Sequence, residues 1–159
     1  MILAGDIGGT HTRLALFEEG ATLAPARSGT FPSREHGNLT AIVRSFLAGS
    51  AARPDRACLG VAGTVRGGRA EVTNLPWKLD AGALAAELSI GRVALLNDLI
   101  AGGIAPRVLP ALPAPGFLEA FRGKGRFRPW LEKVPLRVVL DERTPLLGAA
   151  RYALQEMAG

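Results

Sequence analysis

The sequence predicts an α/β fold, a mixed β-sheet with helices packed on it, from three observations. Over the first hundred residues, segments follow the order strand, strand, strand, helix, strand, helix, strand. Two segments carry apolar residues at helical spacing and start at residues that can cap a helix, Asn38 and Asp80. Two of the strands end at carboxylates, Asp6 and Asp98, and ligands of open α/β sheets sit beyond the carboxyl ends of strands.

The first strand, Ile2-Leu3-Ala4, runs into Gly5-Asp6-Ile7-Gly8-Gly9-Thr10-His11-Thr12-Arg13, after which Thr12 to Phe17 resumes strand-like alternation. The glycines therefore join two strands. This excludes a Walker loop, which needs Gly-Lys-Ser/Thr before a helix, and a dinucleotide fingerprint, which needs a third glycine opening one. Glycines allow positive φ and let backbone N–H groups approach an anion, while Asp6 at a strand end is placed to hold Mg²⁺ through water. The stretch reads as a phosphate turn. The alternative is an ordinary hairpin, which needs glycine but has no use for the Asp and Thr around it.

Glu19-Gly20 turns the chain into a third extended stretch, Ala21 to Phe31. Asn38 then caps a helix in which Leu39, Ile42, Val43, Phe46 and Leu47 form one apolar stripe, so that helix must lie on a sheet. Ala57 to Ala62 reads as a buried strand and Val65 to Val72, with Gly67-Gly68 in the middle, as a hairpin. Asp80 caps a short helix, Ala81 to Leu88, and a last strand, Arg92 to Leu96, ends at Asn97-Asp98. Beyond residue 100 the character changes. Pro106, Pro110, Pro113 and Pro115 interrupt any long helix, and helices are expected at Phe117 to Arg122, near Pro129 to Lys133 and at Pro145 to Met157, with a strand at Leu136 to Leu140.

With 159 residues the chain can bury one good core but hardly two full domains. Hydrophobic content of 48% and a charged fraction of 21% fit a soluble globular protein, and no apolar run reaches transmembrane length. The N-terminus has no basic region and enters the glycine turn directly, so no signal peptide is expected. The single cysteine, Cys58, leaves no disulfide framework and no clustered metal site; a cytoplasmic setting fits. Of the net charge of +5, the stretch Glu119 to Arg143 holds seven Lys/Arg against four Asp/Glu, or +3. There Arg122, Lys124, Arg126 and Arg128 interleave with Phe121, Phe127 and Trp130. That is the composition of a nucleic-acid patch, and equally of an amphipathic helix pair with a solvated basic face. No recognised binding module surrounds it, so nucleic acid is not the expected partner.

The sequence resembles the bacterial glucokinases of the actin, sugar-kinase and heat-shock-protein ATPase superfamily. The resemblance rests on Gly5-Asp6-Ile7-Gly8-Gly9-Thr10, Gly60-Val61-Ala62-Gly63, Thr73-Asn74-Leu75-Pro76-Trp77, Leu95-Leu96-Asn97-Asp98 and Ala101-Gly102-Gly103-Ile104-Ala105-Pro106-Arg107. Lys124 to Phe127, Pro135 to Val139 and Leu146 to Ala150 extend it to the C-terminal end. It departs from the family at one point. Family members place a long stretch between the Asn-Asp pair and the Ala-Gly-Gly-Ile block, where here only Leu99-Ile100 intervene. The absent stretch would carry a second glycine-rich phosphate loop, a Glu-Gly-Gly-His sugar-binding segment and most of a larger domain.

The resemblance implies that residues 1–99 form a ribonuclease-H-like domain, that 100–144 are a remnant of the large domain and that 145–159 pack back on the first. It implies ATP-dependent phosphorylation of glucose or a related hexose, with ATP and Mg²⁺ as cofactors. Asp98 would be the base, Asn97, Asp98 and Asn74 would bind the sugar, and Gly5, Asp6, Ile7, Gly8, Gly9 and Thr10 would meet phosphate. Asp6 would orient the metal, and Gly102 and Gly103 would belong to the adenosine pocket. Without the opposite wall of the cleft, turnover is expected to be crippled, leaving a nucleotide-binding remnant as the alternative, and residues 100–135 are expected to expose apolar surface or to associate with another chain. His11 reads as a loop variant near phosphate and His36 as a solvated surface residue.

Overall fold

The computed structural model describes residues 1–19, 24–51, 53–97, 115–132, 141 and 143–157. These fall into two units, Met1–Ala101 with Arg143–Gly159, and Gly102–Glu142. In the first unit a five-stranded sheet has the order β3-β2-β1-β4-β8, formed by β1 (Ile2–Ile7), β2 (His11–Phe17), β3 (Pro25–Pro32), β4 (Arg56–Val61) and β8 (Arg92–Asn97). β1, β2 and β3 form an antiparallel meander, whereas β4 runs parallel to β1 and β8 parallel to β4. The mixed sheet expected from the element order is the one observed.

Successive residues of a strand point to opposite faces, and both faces of the central strands are covered. Leu3, Ile7, Leu14, Leu16, Ala57, Leu59 and Val61 share one core with Leu39, Ile42, Val43 and Phe46 of α1 (Leu39–Leu47) and Leu84 of α2 (Ala81–Leu88). Their neighbours Ile2, Ala4, Ala15, Phe17 and Cys58 share another with Leu146, Ala149, Ala150, Ala153 and Met157, contributed by α5 (Thr144–Glu156) and the residue after it. Spacing of three and four along α5 makes that stripe continuous, and its alanines let the helix backbone approach the small residues of the sheet. Burial pushes the Cys58 thiol up to about 12, so this cysteine is an inert core residue.

Both helix caps read from the sequence are present: the Asn38 side chain accepts from the Ala41 N–H at 2.8 Å, and Asp80 from the Ala83 N–H at 3.0 Å. The Gly67-Gly68 hairpin joins β5 (Gly63–Arg66) to β6 (Arg69–Val72), with φ of 54° and 74° at the two glycines, as a primed turn requires. Two elements of this unit were not anticipated. β7 (Lys78–Asp80) adds a third strand to this hairpin, burying Leu79 between the polar Lys78 and Asp80, and a 3₁₀ turn spans Ser33–Glu35. Three-residue elements carry too little periodicity to be read.

The second unit contains α3 (Pro115–Arg122), a 3₁₀ turn at Gly125–Phe127 and α4 (Arg128–Leu131). Arg128 is held by Glu132 at 3.0 Å and Glu119 at 3.1 Å, which neutralises one of the four cations of the basic stretch, and Trp130 is 65% exposed. The strand expected at Leu136 to Leu140 lies outside the described residues. Among the described residues no helix is long and apolar enough to cross a membrane.

Ala150 is fully buried in the small-residue layer between α5 and the sheet. Ala150→Leu should therefore destabilise by about 1–3 kcal/mol through overpacking, measured by urea unfolding, while Tyr152→Ala on the outer face should change stability by less than about 0.5 kcal/mol.

Candidate functional site

The parallel pairing aligns the carboxyl ends of three strands, with Ile7 opposite Val61 and Val61 opposite Asn97. The glycine turn and Ala62-Gly63 leave the sheet at this edge, where β8 also ends at Asn97. Asp98 itself, and Gly102 and Gly103, lie outside the described residues. Asn97 closes β8, and its Nδ2 donates to the Gly63 carbonyl at 2.6 Å, so the candidate sugar-binding amide is tied to the start of β5. At Gly63 a Cβ would stand 1.9 Å from the Glu71 carbonyl oxygen, so no side chain fits without separating β5 from β6.

In the turn, the Gly8 N–H donates to the His11 carbonyl at 3.0 Å and closes the hairpin between β1 and β2. Neither Gly8 nor Gly9 is in the left-handed region, so positive φ, one of the two uses of glycine offered for this turn, is not what demands them. Close approach does. A Cβ would stand 3.0 Å from the His11 carbonyl oxygen at Gly8 and 2.6 Å from that of Thr73 at Gly9. The turn is thus seated on the Thr73-Asn74 backbone, and two candidate segments distant in sequence meet. Asn74 is exposed there with a φ of 63°. Among the described residues the backbone N–H groups of Gly9 and Thr10 have no protein acceptor. Together with the exposed Thr10 they form an open set of donors suited to a tetrahedral oxyanion. The backbone of Thr10 is itself anchored, its carbonyl accepting from the Ser33 N–H at 2.9 Å.

Gly5 and Ile7 differ from the rest of the stretch. Both are buried in β1, and a Cβ at Gly5 would meet Leu59 Cδ2 at 2.7 Å, so Gly5 makes room for core packing and Ile7 fills the core. Asp6, one residue in from the strand end, has a side chain only 14% exposed. The β1–β2 register sets it opposite Arg13, whose Nη1 lies 3.3 Å from Asp6 Oδ2. Burial raises the Asp6 pKa above its ordinary value of 3.8; the charge and hydrogen bond of Arg13 pull it back, and burial prevails. A carboxylate so placed gains from a nearby cation. One carboxylate, with water and phosphate oxygens completing the shell, is a donor set that Mg²⁺ uses, so the residues present fit that ion. Among the described residues no group of three or more His, Cys, Asp or Glu could hold a metal alone.

Thr12, Arg13 and Gly63 lie in stretches that sequence reasoning singled out but were given no role there, and Ser33 was not singled out at all. Counting outward from the turn would have paired Asp6 with Arg13, whereas nothing local marks Ser33. His11 is exposed at the start of β2. His36 is half-buried with its ring edge-on to Phe31 at 6.3 Å, not fully solvated as its polar neighbours imply.

The glucokinase family model matches this chain over residues 3–101 and 99–156, two segments that meet where the sequence places the missing internal stretch. The glucokinase of Nostoc sp. (strain PCC 7120 / SAG 25.82 / UTEX 2576) is 40% identical over 107 residues, covering 65% of this chain and 31% of the relative. That of Sinorhizobium medicae (strain WSM419) is 33% identical over 140 residues, covering 85% and 38%. The crystal structure of a glucokinase from an Antarctic psychrotroph superposes with a TM-score of 0.59 at 33% identity, over 65% of this chain and 34% of that one. The chain spans about a third of the length of the curated relatives it matches. By the extent of the family match and the shared sugar-kinase fold, this chain belongs to the glucokinase family.

Proposed function

We propose that the chain carries the phosphate-binding half of an ATP-dependent hexose kinase cleft, with glucose as the acceptor. The observation that carries this reading is the turn at Gly8–Thr10, whose Gly9 and Thr10 N–H groups have no acceptor among the described residues and which follows directly on the part-buried carboxylate of Asp6. In phosphoryl transfer the chemistry is mostly positioning and charge stabilisation. The Gly9 and Thr10 N–H groups would hold phosphate oxygens, and Asp6 would hold Mg²⁺, which supplies neutralisation of charge on the phosphates. Asp98 would accept the proton of the attacking sugar hydroxyl as its oxygen bonds to the γ-phosphorus and the bond to the β-phosphate oxygen breaks, releasing ADP. Asn97 and Asn74 would orient sugar hydroxyls, and Gly102-Gly103 would receive the adenosine. A second reading, nucleotide binding without turnover, is favoured by length, since the chain spans about a third of its relatives and the stretch that would form the opposite wall is absent.

Glucose 6-phosphate formation by the purified chain, followed in a coupled assay, separates the two readings. The first expects slow turnover that falls by about 10²–10⁴-fold in Asp98→Ala. No turnover, with ATP raising the melting temperature, leaves the second; absence of both turnover and ATP-dependent stabilisation overturns both.

Asp6→Asn should dissociate function from stability. Because the folded-state pKa of Asp6 is raised, the folded chain holds this proton more tightly than the unfolded chain, and the stability it contributes is lost as pH rises through the folded pKa. The variant should remove that loss, being at least as stable as the parent at pH 7, while Mg²⁺ no longer strengthens ATP binding. Urea unfolding from about pH 4 to 7 and ATP titration with and without Mg²⁺ check this; identical pH slopes in the two proteins would count against it.

A further inference from the structure

A pair of hydroxyls lies beneath the glycine turn, away from any surface a ligand could touch. Thr12 and Ser33 are both fully buried, with their oxygens 3.0 Å apart. Ser33 Oγ donates to the Gly8 carbonyl at 2.8 Å, and since a serine hydroxyl has one proton, Thr12 must donate to Ser33. The Ser33 backbone N–H donates to the Thr10 carbonyl at 2.9 Å. One residue therefore holds carbonyls on both sides of Gly9, from a 3₁₀ turn that follows β3 and lies far along the chain. Burying two hydroxyls costs free energy unless they are bonded, and here every bond they make leads to the turn or to each other.

We infer that Ser33 is a positioning residue for the phosphate turn, with Thr12 orienting its hydroxyl. By fixing the Gly8 and Thr10 carbonyls, Ser33 holds the Gly8–Gly9 peptide plane, which carries the Gly9 N–H, and the Thr10–His11 plane, so that the Gly9–Thr10 plane, which carries the Thr10 N–H, is bracketed between two fixed ones. The Gly9 and Thr10 N–H groups are then already aligned when an anion arrives, and binding does not have to order them. This rests on the proposed nucleotide site for its ligand, although the anchoring of the turn is independent of which anion is bound.

The test compares Ser33→Ala, Thr12→Val and Thr12→Ser in the full chain, by ATP titration and by amide hydrogen exchange at Gly8 and Ser33 read against Leu3 and Cys58 in the sheet. Ser33→Ala should weaken ATP binding about tenfold, the fold-change that one lost hydrogen bond corresponds to, and speed exchange at Gly8 but not at Leu3 or Cys58. Thr12→Val should show a smaller effect and Thr12→Ser, which keeps the hydroxyl, none. A variant that loses melting temperature alone, with turn exchange and ATP affinity unchanged, would reduce Ser33 to a packing residue and overturn the inference. If the parent chain binds no ATP, the nucleotide reading fails, and the exchange rates alone then decide whether Ser33 holds the turn.

Discussion

Strand β1 is buried on both faces, and the elements around it follow from that condition. A strand covered on one side only would leave either Leu3 and Ile7 or Ile2 and Ala4 in water, so the chain must supply helices to both faces. α1 and α2 cover the first from within the N-terminal sequence, and α5 covers the second from the far end of the chain. The same burial determines the chemistry at the strand end. Asp6 is carried into a poorly solvated position by a strand whose other side chains are apolar, and it pairs with Arg13, the residue that the hairpin register places opposite it. The raised proton affinity of Asp6 and its suitability for a cation are two results of one placement.

The edge of the sheet is built from backbone approaches that exclude side chains. Gly9 lies on the Thr73 carbonyl and Gly63 on that of Glu71, so the turn, the β6–β7 connection and the start of β5 are held together with little intervening side-chain volume. Asn97 joins β8 to the same assembly through Gly63. Donors that must meet a small anion benefit from such stiffness, because the cost of ordering them is met during folding and not during binding.

What the sequence discloses here is what local chemistry determines. α1 and α2 were legible from their caps and stripes, and the Gly67-Gly68 hairpin from its paired glycines, because each is specified within a few residues. The glycine turn was read as a meeting point for phosphate partly because glycine allows positive φ, a freedom that neither Gly8 nor Gly9 uses. Gly8 and Gly9 are there for close approach, and the partner of Gly9, Thr73, lies in another connection altogether. Ser33 was illegible on the same ground: its value comes from a contact with Gly8 and Thr10 made only after β3 has paired with β2. Asn74 and the turn each stood out alone, while their adjacency required the fold. Asp98, Gly102 and Gly103 are legible by resemblance and lie outside the described residues.

The return of α5 to the unit that contains β1 also bears on how such a chain can change in length. Everything between the end of β8 and the start of α5 is, for this unit, a closure between two fixed points, whatever that closure contains. The entropic penalty of closing it rises only with the logarithm of its length, by about 0.6 kcal/mol for each doubling. A sheet sealed in this way is nearly indifferent to whether the intervening stretch is short or several times longer. Gain or loss of a whole lobe at that junction is thus a change to which the thermodynamics of the remaining unit offers little resistance.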